Sequence, residues 1–326
     1  MLTRTPSFYH SFHCIASACP DSCCQLWDVA VDAEKSAYYR SLPGELGDRL
    51  RRFLQEEDST TYLTLEATRC PMWRQDGLCR IQAELGEQAL CKTCREFPRL
   101  THDYGGFLEL GLELSCPEAA RLLLAQSDWH WLEEGTADPC PDYDPLDMEI
   151  LLESRHHAME LTQGEAPLVN LLLYGLHAQQ ALDSGELPPF QPSQSTPISP
   201  EEADVDAFLQ VFRDLEILTD GWRQRLQAAN PRAFSREDRA MLRYLISRWW
   251  LQAISDFDLY ARVKFLLSAV ILCCLLGGDP TQTAQQFSKE IENDAQNVDA
   301  LLDGCYTLPG LTDRNLLALM ALITSR

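Results

Sequence analysis

From about residue 141 onward, apolar positions recur at three- and four-residue spacing, as a helix with one buried face requires. Leu209, Phe212, Leu215 and Ile217 form one such series, and Leu242, Leu245, Ile246, Trp249 and Trp250 another. Polar residues with acceptor side chains stand where these series begin. Asp144-Pro145, Ser199-Pro200 and Asp279-Pro280 each set a capping residue before a proline in the first helical position. Ser235 followed by Asp238 approximates a capping box, with Asp in place of Glu. The pattern predicts helices near 146–162, 166–183, 201–229, 236–255, 258–276, 280–298 and 312–324, with a proline- and serine-rich loop over 188–200.

The first 140 residues read differently, with short elements and many turn residues. A helix is predicted over 81–90, a second opened by Cys116-Pro117-Glu118 and running to about 126, and a strand over 62–67. No internal repeat is visible. The fold class expected is mainly α: a cysteine-rich, metal-stapled N-terminal region, 1–140, packed on an all-helical region, 141–326, that offers a docking surface for substrate.

The formal charge of −22 is spread over both halves, with 13 basic against 22 acidic residues in 1–140 and 14 against 27 beyond. Such a surface repels nucleic acid and anionic lipid, and no local basic patch offsets it, so nucleic acid is not an expected partner. Residues 1–25 lack a charged segment followed by an apolar one, so no signal peptide is expected. The most apolar stretch, 265–276, is too short to span a bilayer and reads as a buried helix, with peripheral membrane association as the weaker alternative. The expected location is cytoplasmic, where 13 cysteines are kept as thiols and metal ligation is the better explanation of a cluster.

The cysteines are gathered at one end. The run Cys14-x4-Cys19-x3-Cys23-Cys24 is followed by Cys70, Cys79, then Cys91-x2-Cys94, and Cys116 closes the set. Close spacings let two thiolates meet at one centre, and distant pairs staple segments together. These nine are the candidate metal ligands. They exceed the four donors of one zinc or one [4Fe–4S] cluster, so there are two sites or some thiols only pack. Cys140, Cys273, Cys274 and Cys305 are expected to pack, and His10 and His13, flanking Cys14, to be solvated or core residues. The single C-x2-C pair and irregular spacings suit iron–sulfur at least as well as zinc. The C-x3-C-x2-C of radical S-adenosylmethionine enzymes, the glycine-rich nucleotide loops, the G-x-S-x-G elbow and H-E-x-x-H are all absent.

The run Ser11-Phe12-His13-Cys14 through Cys19-Pro20-Asp21-Ser22-Cys23-Cys24-Gln25-Leu26-Trp27 resembles the N-terminal signature of flagellin lysine-N-methylases. So do Cys70-Pro71, Asp76-Gly77-Leu78-Cys79-Arg80-Ile81-Gln82, and Leu85-Gly86 leading to Cys91, Cys94 and Phe97-Pro98-Arg99. The resemblance covers residues 8–120. It implies a bacterial cytosolic enzyme that methylates lysine ε-amines of flagellin with S-adenosylmethionine. It also implies an iron–sulfur cluster, of the [4Fe–4S] type or with zinc as the alternative, held by the cysteine-rich motif. Methylation requires a neutral amine, so a group near the cysteines must take the lysine proton, and Asp21, Asp28 and Tyr104 are candidates. The competing reading is a non-catalytic zinc- or iron-binding protein that handles metal or docks a partner.

Overall fold

The structure, a computed structural model, describes residues 1–136, 141–191 and 198–325. Cys140 and residues 192–197 of the predicted loop at 188–200 therefore lie outside the described residues. The chain is mainly helical, 56% helix against 11% strand, and among the described residues all of the strand falls in the first 136. Strands β1 (Leu2–Pro6), β5 (Arg99–Asp103), β6 (Phe107–Leu112) and β7 (Trp131–Glu134) form a four-stranded sheet in the order β5-β6-β1-β7. Within it β1 runs parallel to β6, and the other pairs are antiparallel. A second, antiparallel sheet has the order β2 (Val29–Val31), β4 (Thr60–Leu63), β3 (Leu54–Glu57). The predicted strand over 62–67 is β4, shifted toward the N-terminus. Helices α1 (Ala33–Ser41) and α2 (Gly44–Phe53) connect β2 to β3, and α3 (Arg80–Leu85), α4 (Lys92–Glu96) and α5 (Pro117–Leu124) follow.

The remaining helices are α6 (Pro145–Leu161), α7 (Pro167–Ser184), α8 (Val205–Arg213), α9 (Asp220–Gln227), α10 (Arg236–Trp249), α11 (Leu259–Leu276), α12 (Pro280–Phe287), α13 (Ala295–Gly304) and α14 (Asp313–Thr324). The capping readings hold: Asp144 and Asp279 accept from Leu146 and Gln282 amides, and Ser235 with Asp238 forms a complete capping box. Two of the helices predicted in this region are each split into two α-helices. The stretch 201–229 becomes α8 and α9 because Asp204 and Thr219 each cap a fresh start. The stretch 280–298 becomes α12, a π-helical turn over Ser288–Glu292, and α13, whose start Asp294 caps. Periodicity alone does not register a cap in mid-pattern.

Two cores hold these elements. The larger is built on α11, every residue of which is buried, and it reaches back to Phe8, Phe12, Phe107, Leu114 and Cys116. It therefore draws side chains from both sides of residue 140. The smaller gathers Val29, Val31, Tyr39, Leu50, Leu63, Met72 and Ile81 around Cys70 and Cys91. By length and composition α11 is the one helix among the described residues apolar enough to cross a membrane, and here it is wholly enclosed by protein. Its two cations are paired inside the fold. Lys264 lies 2.9 Å from Asp313 and Arg262 2.7 Å from Asp256.

A buried ion pair ties the larger sheet to the helices. Glu109 on β6, 2% exposed, accepts two 2.7 Å hydrogen bonds from Arg155 on α6, whose guanidinium lies over the Trp131 ring.

Candidate functional site

The cysteines are carried by loops stitched together through the backbone. The Cys70 amide donates to the Cys24 carbonyl at 2.8 Å, and Gln25 bridges Arg69 beside it. Trp73 bridges Cys79, and the Arg80 amide reaches the Met72 carbonyl at 2.8 Å. Asp32 caps two helices at once, accepting from the Lys35 amide that starts α1 and from the Lys92 amide that starts α4. Those bonds, Lys92's above all, hold its carboxyl below the usual range. With Thr93 Oγ1 on the Ala30 carbonyl, they fix where Cys91 and Cys94 stand. Tyr39, 1% exposed, donates to the Ala89 carbonyl at 2.7 Å and closes the same loop from below. Ala16, Leu26 and Ala67 have φ of +49°, +77° and +57°, so unfavourable backbone conformations gather around these loops. Such conformations cost on the order of 1–3 kcal/mol each and persist only where the surroundings enforce them.

All nine candidate thiols are free of disulfides, and they fall into two neighbourhoods. Cys14 acts on Cys19, Cys23 and Cys116, each of whose thiols it helps to push up. Burial is the largest cause for Cys19 and for Cys116, which rises to about 11. Cys24, Cys70, Cys79, Cys91 and Cys94 form the second group, packed on the smaller core. Burial pushes Cys70 up to about 12 and raises Cys79, with Cys24 and Cys91 adding to both. Two thiol–thiol hydrogen bonds stand out. Cys23 donates to Cys24, which falls to about 7, and Cys94 donates to Cys91, which also falls to about 7. Cys23 and Cys94 are raised by the same bonds. One bond joins the two groups and the other lies within the second.

Among the described residues no three Cys, His, Asp or Glu side chains close around a point where a metal ion would sit. What the fold provides is two all-sulfur neighbourhoods on irregular loops. In donor chemistry this fits a thiolate-held centre, because all-cysteine ligand sets are what structural zinc and iron–sulfur clusters take. Cys273, Cys274 and Cys305 are buried in the helical core far along the chain, as expected of packing residues. His13 is turned onto the Phe12 carbonyl at 2.6 Å, and His10 lies edge-on to Tyr9.

The first loop is pinned to the helical body by a residue the sequence did not single out. Lys289, in the π-helical turn and 5% exposed, donates to both oxygens of Asp21 at 2.7 and 2.9 Å. Gln285 spans from Asp21 (2.9 Å) to the Ser115 carbonyl (2.8 Å), and Gln25 also donates to Asp21. The Lys289 ammonium lies 5.1 Å from the Trp27 ring centre. Asp21 is therefore fully engaged in holding the loop that bears Cys19 and Cys23, which leaves it no free edge for a substrate proton. Asp28 is exposed and accepts from the Leu65 amide through Oδ1 at 2.9 Å. Tyr104 is 7% exposed and its hydroxyl has no hydrogen-bond partner; burial raises it, so it holds its proton. The only sequence signal for the pin was that the chain has just four lysines, one of them at position 289.

No family model and no solved structure matches the chain. Lysine-N-methylases of Salmonella typhimurium and Salmonella choleraesuis are each 30% identical to it over 193 residues, 54% of this chain and 47% of the relative. The flagellar biosynthetic protein FliU of Salmonella muenchen is 32% identical over 133 residues, 38% of this chain and 77% of FliU. The chain thus spans about half the length of the lysine-N-methylases it matches, and most of FliU. With FliU matched over more than two thirds of its length and the N-methylases beside it, this chain belongs to the lysine-N-methylase family.

Proposed function

We propose that this chain transfers methyl groups from S-adenosylmethionine to lysine ε-amines of flagellin, in the cytoplasm, with an iron–sulfur cluster held by its clustered cysteines. The observation that carries the reading is the pair of names it matches, lysine-N-methylase and a flagellar protein. The thiol groups support the metal half of it. Cys14, Cys19, Cys23 and Cys116 would hold one centre, and four of Cys24, Cys70, Cys79, Cys91 and Cys94 a second. When bound, iron–sulfur centres supply a redox-active metal of tunable potential, and four thiolates are the ligand set of a [4Fe–4S] cluster as of a [2Fe–2S] one. The chain's own residues bury Cys70, Cys91 and Cys116, leave Cys14, Cys23 and Cys94 exposed, and bind the first loop to the helices through Asp21 and Lys289. The charge of −22 suits approach of a lysine-bearing partner and would speed encounter rather than choose the lysine.

Incubation with S-adenosylmethionine, a reductant and flagellin is expected to add whole methyl increments to flagellin lysines, read by intact-mass spectrometry. Unmodified flagellin in the presence of metal-loaded protein would favour the zinc- or iron-binding module instead. Serine at Cys19, Cys23 or Cys94 is expected to lower bound metal and folded yield, because binding and folding are coupled. Serine at Cys273 or Cys305 is expected to leave metal content unchanged, even where it costs stability. Equal metal loss in the two sets would remove the thiol groups from the proposal.

A further inference from the structure

An open cleft of about 460 Å³ lies between the end of β6, the end of α10, the π-helical turn and the start of α13. Glu113, Arg248, Trp249, Glu292, Asn293 and Asp299 line it. Of these the sequence singled out only Trp249, as one of an apolar helical series. The cleft adjoins the cysteine loops through two chain segments. Glu113 stands three residues before Cys116 and accepts from Ser115 Oγ at 3.0 Å, while Ser115 offers its carbonyl to Gln285. On the other wall the same turn that sends Lys289 to Asp21 sends Glu292 into the cleft.

Its charges do not balance. Three carboxylates face one cation, Arg248. Glu292, fully buried, is already used: it accepts from Trp249 Nε1 at 2.9 Å and from the Tyr244 hydroxyl at 3.4 Å. Arg248, 9% exposed, is held through Nη1 on the Tyr244 hydroxyl at 2.6 Å. Its Nε stands 3.6 Å from Glu292 and has no hydrogen-bond partner. A buried N–H donor without an acceptor is costly and marks a place where a polar ligand atom is wanted. Glu113 is 17% exposed and 4.0 Å from the nearest Arg248 nitrogen, too far for a hydrogen bond, and Asp299 stands exposed at the mouth.

We propose that this cleft receives the side chain of the substrate lysine, with Asp299 drawing in the ammonium, Glu113 taking its proton, and Arg248 Nε–H holding a carbonyl of the peptide beside it. The proposal rests on the reading of the chain as a lysine methylase and gives that activity a place. In the step, the ammonium loses a proton to the Glu113 carboxylate. The freed nitrogen lone pair bonds to the methyl carbon of the sulfonium donor, and the broken C–S bond leaves its electrons on sulfur as a thioether. Burial raises the Glu113 carboxyl above the usual range, against Arg248, Ser115 and Asn293, which favour its charged form, and with Glu292, which opposes it. A base so placed is better matched to an amine proton than an ordinary surface carboxylate.

The test uses full-length, metal-loaded protein and a flagellin peptide carrying one lysine, beside the same peptide with norleucine at that position. Wild type is expected to bind the lysine peptide more tightly, and Asp299→Asn to erase most of that preference. Glu113→Gln, with unchanged melting behaviour, is expected to lower the methylation rate about 10²-fold while leaving metal content intact. A folded Glu113→Gln protein with the wild-type rate overturns the inference and leaves the methylase reading standing. Should the two substitutions weaken S-adenosylmethionine binding instead, with lysine preference untouched, the cleft belongs to the donor and the inference falls. Should wild type transfer no methyl at all, the methylase reading fails. The lysine-over-norleucine preference and its loss in Asp299→Asn then decide the cleft alone. If Glu113→Gln does not fold, Asp299→Asn at the exposed rim decides it by the same comparison.

Discussion

Arg155→Met is expected to destabilise the protein by about 3–5 kcal/mol, the range for removing one member of a buried ion pair and leaving the other charged. Glu109 would then sit at 2% exposure with only Arg4, 3.8 Å away, to answer its charge. Arg155 also covers the Trp131 ring, so packing is lost along with charge. Because Glu109 is on β6 and Arg155 on α6, the damage falls on the joint between the sheet and the helical body. Urea denaturation followed by tryptophan fluorescence measures it. The double variant Glu109→Leu/Arg155→Met removes both charges and is expected to recover much of the loss, since hydrophobic replacements of buried pairs are often neutral or better. A double variant as weak as the single one would show that the pair's worth lies in its geometry rather than in cancelling charge.

Lys289→Met is expected to have the second large effect, and a more local one. Asp21 would keep Gln285 and Gln25 but lose its cation. Asp21 is 26% exposed and regains some water, so the global cost is expected to be about 2–3 kcal/mol, below the fully buried range. The larger consequence is freedom in the loop bearing Cys19 and Cys23. Hydrogen exchange over residues 14–27 is expected to quicken well before the rest of the protein loosens. Metal content is expected to fall further than in Cys273→Ser, although no thiol is touched. Unchanged exchange in that loop would show that the backbone bond between Cys70 and Cys24 holds it without help.

Much of the helical part was legible, because apolar spacing and caps speak about the same residues twice. Asp144, Ser235 and Asp279 each start a helix where they were expected to. The first region was harder. β1 and β6 are parallel neighbours about a hundred residues apart in sequence, and their partnership depends on contacts that no local pattern records. The strands are three to six residues long, and α1 has little apolar periodicity to announce it, whereas α2 does carry Leu46 and Leu50 on one buried face. A division at residue 140 follows the cysteines, whereas the larger core follows shape and takes Phe8, Phe107 and Leu114 along with α11. Of the candidate site, the nine thiols were visible in their spacing, and their sorting into two neighbourhoods was not. Cys23 and Cys24 are adjacent in sequence yet serve different groups, which only the turn between them decides. The cleft was invisible for a related reason: Glu113, Arg248, Glu292 and Asp299 lie on four separate segments, each ordinary by itself.

The π-helical turn Ser288–Glu292 sends its three charged side chains to three destinations: Lys289 to Asp21, Glu290 to Thr219 and the Leu218 amide, Glu292 to Trp249. Its closing bond, Asn293 amide to Ser288 carbonyl at 3.1 Å, spans five residues where an α-helix spans four. Deleting one residue here would restore ordinary α geometry at no local expense. It would also put these side chains out of phase with their partners, since neighbouring residues of an α-helix stand about 100° apart. No single compensating substitution could bring three contacts back into phase. Descendants of this chain can therefore vary the identity of residues in the turn far more readily than their number. The spacing from α12 to α13 is a ruler that drift can repaint but not shorten.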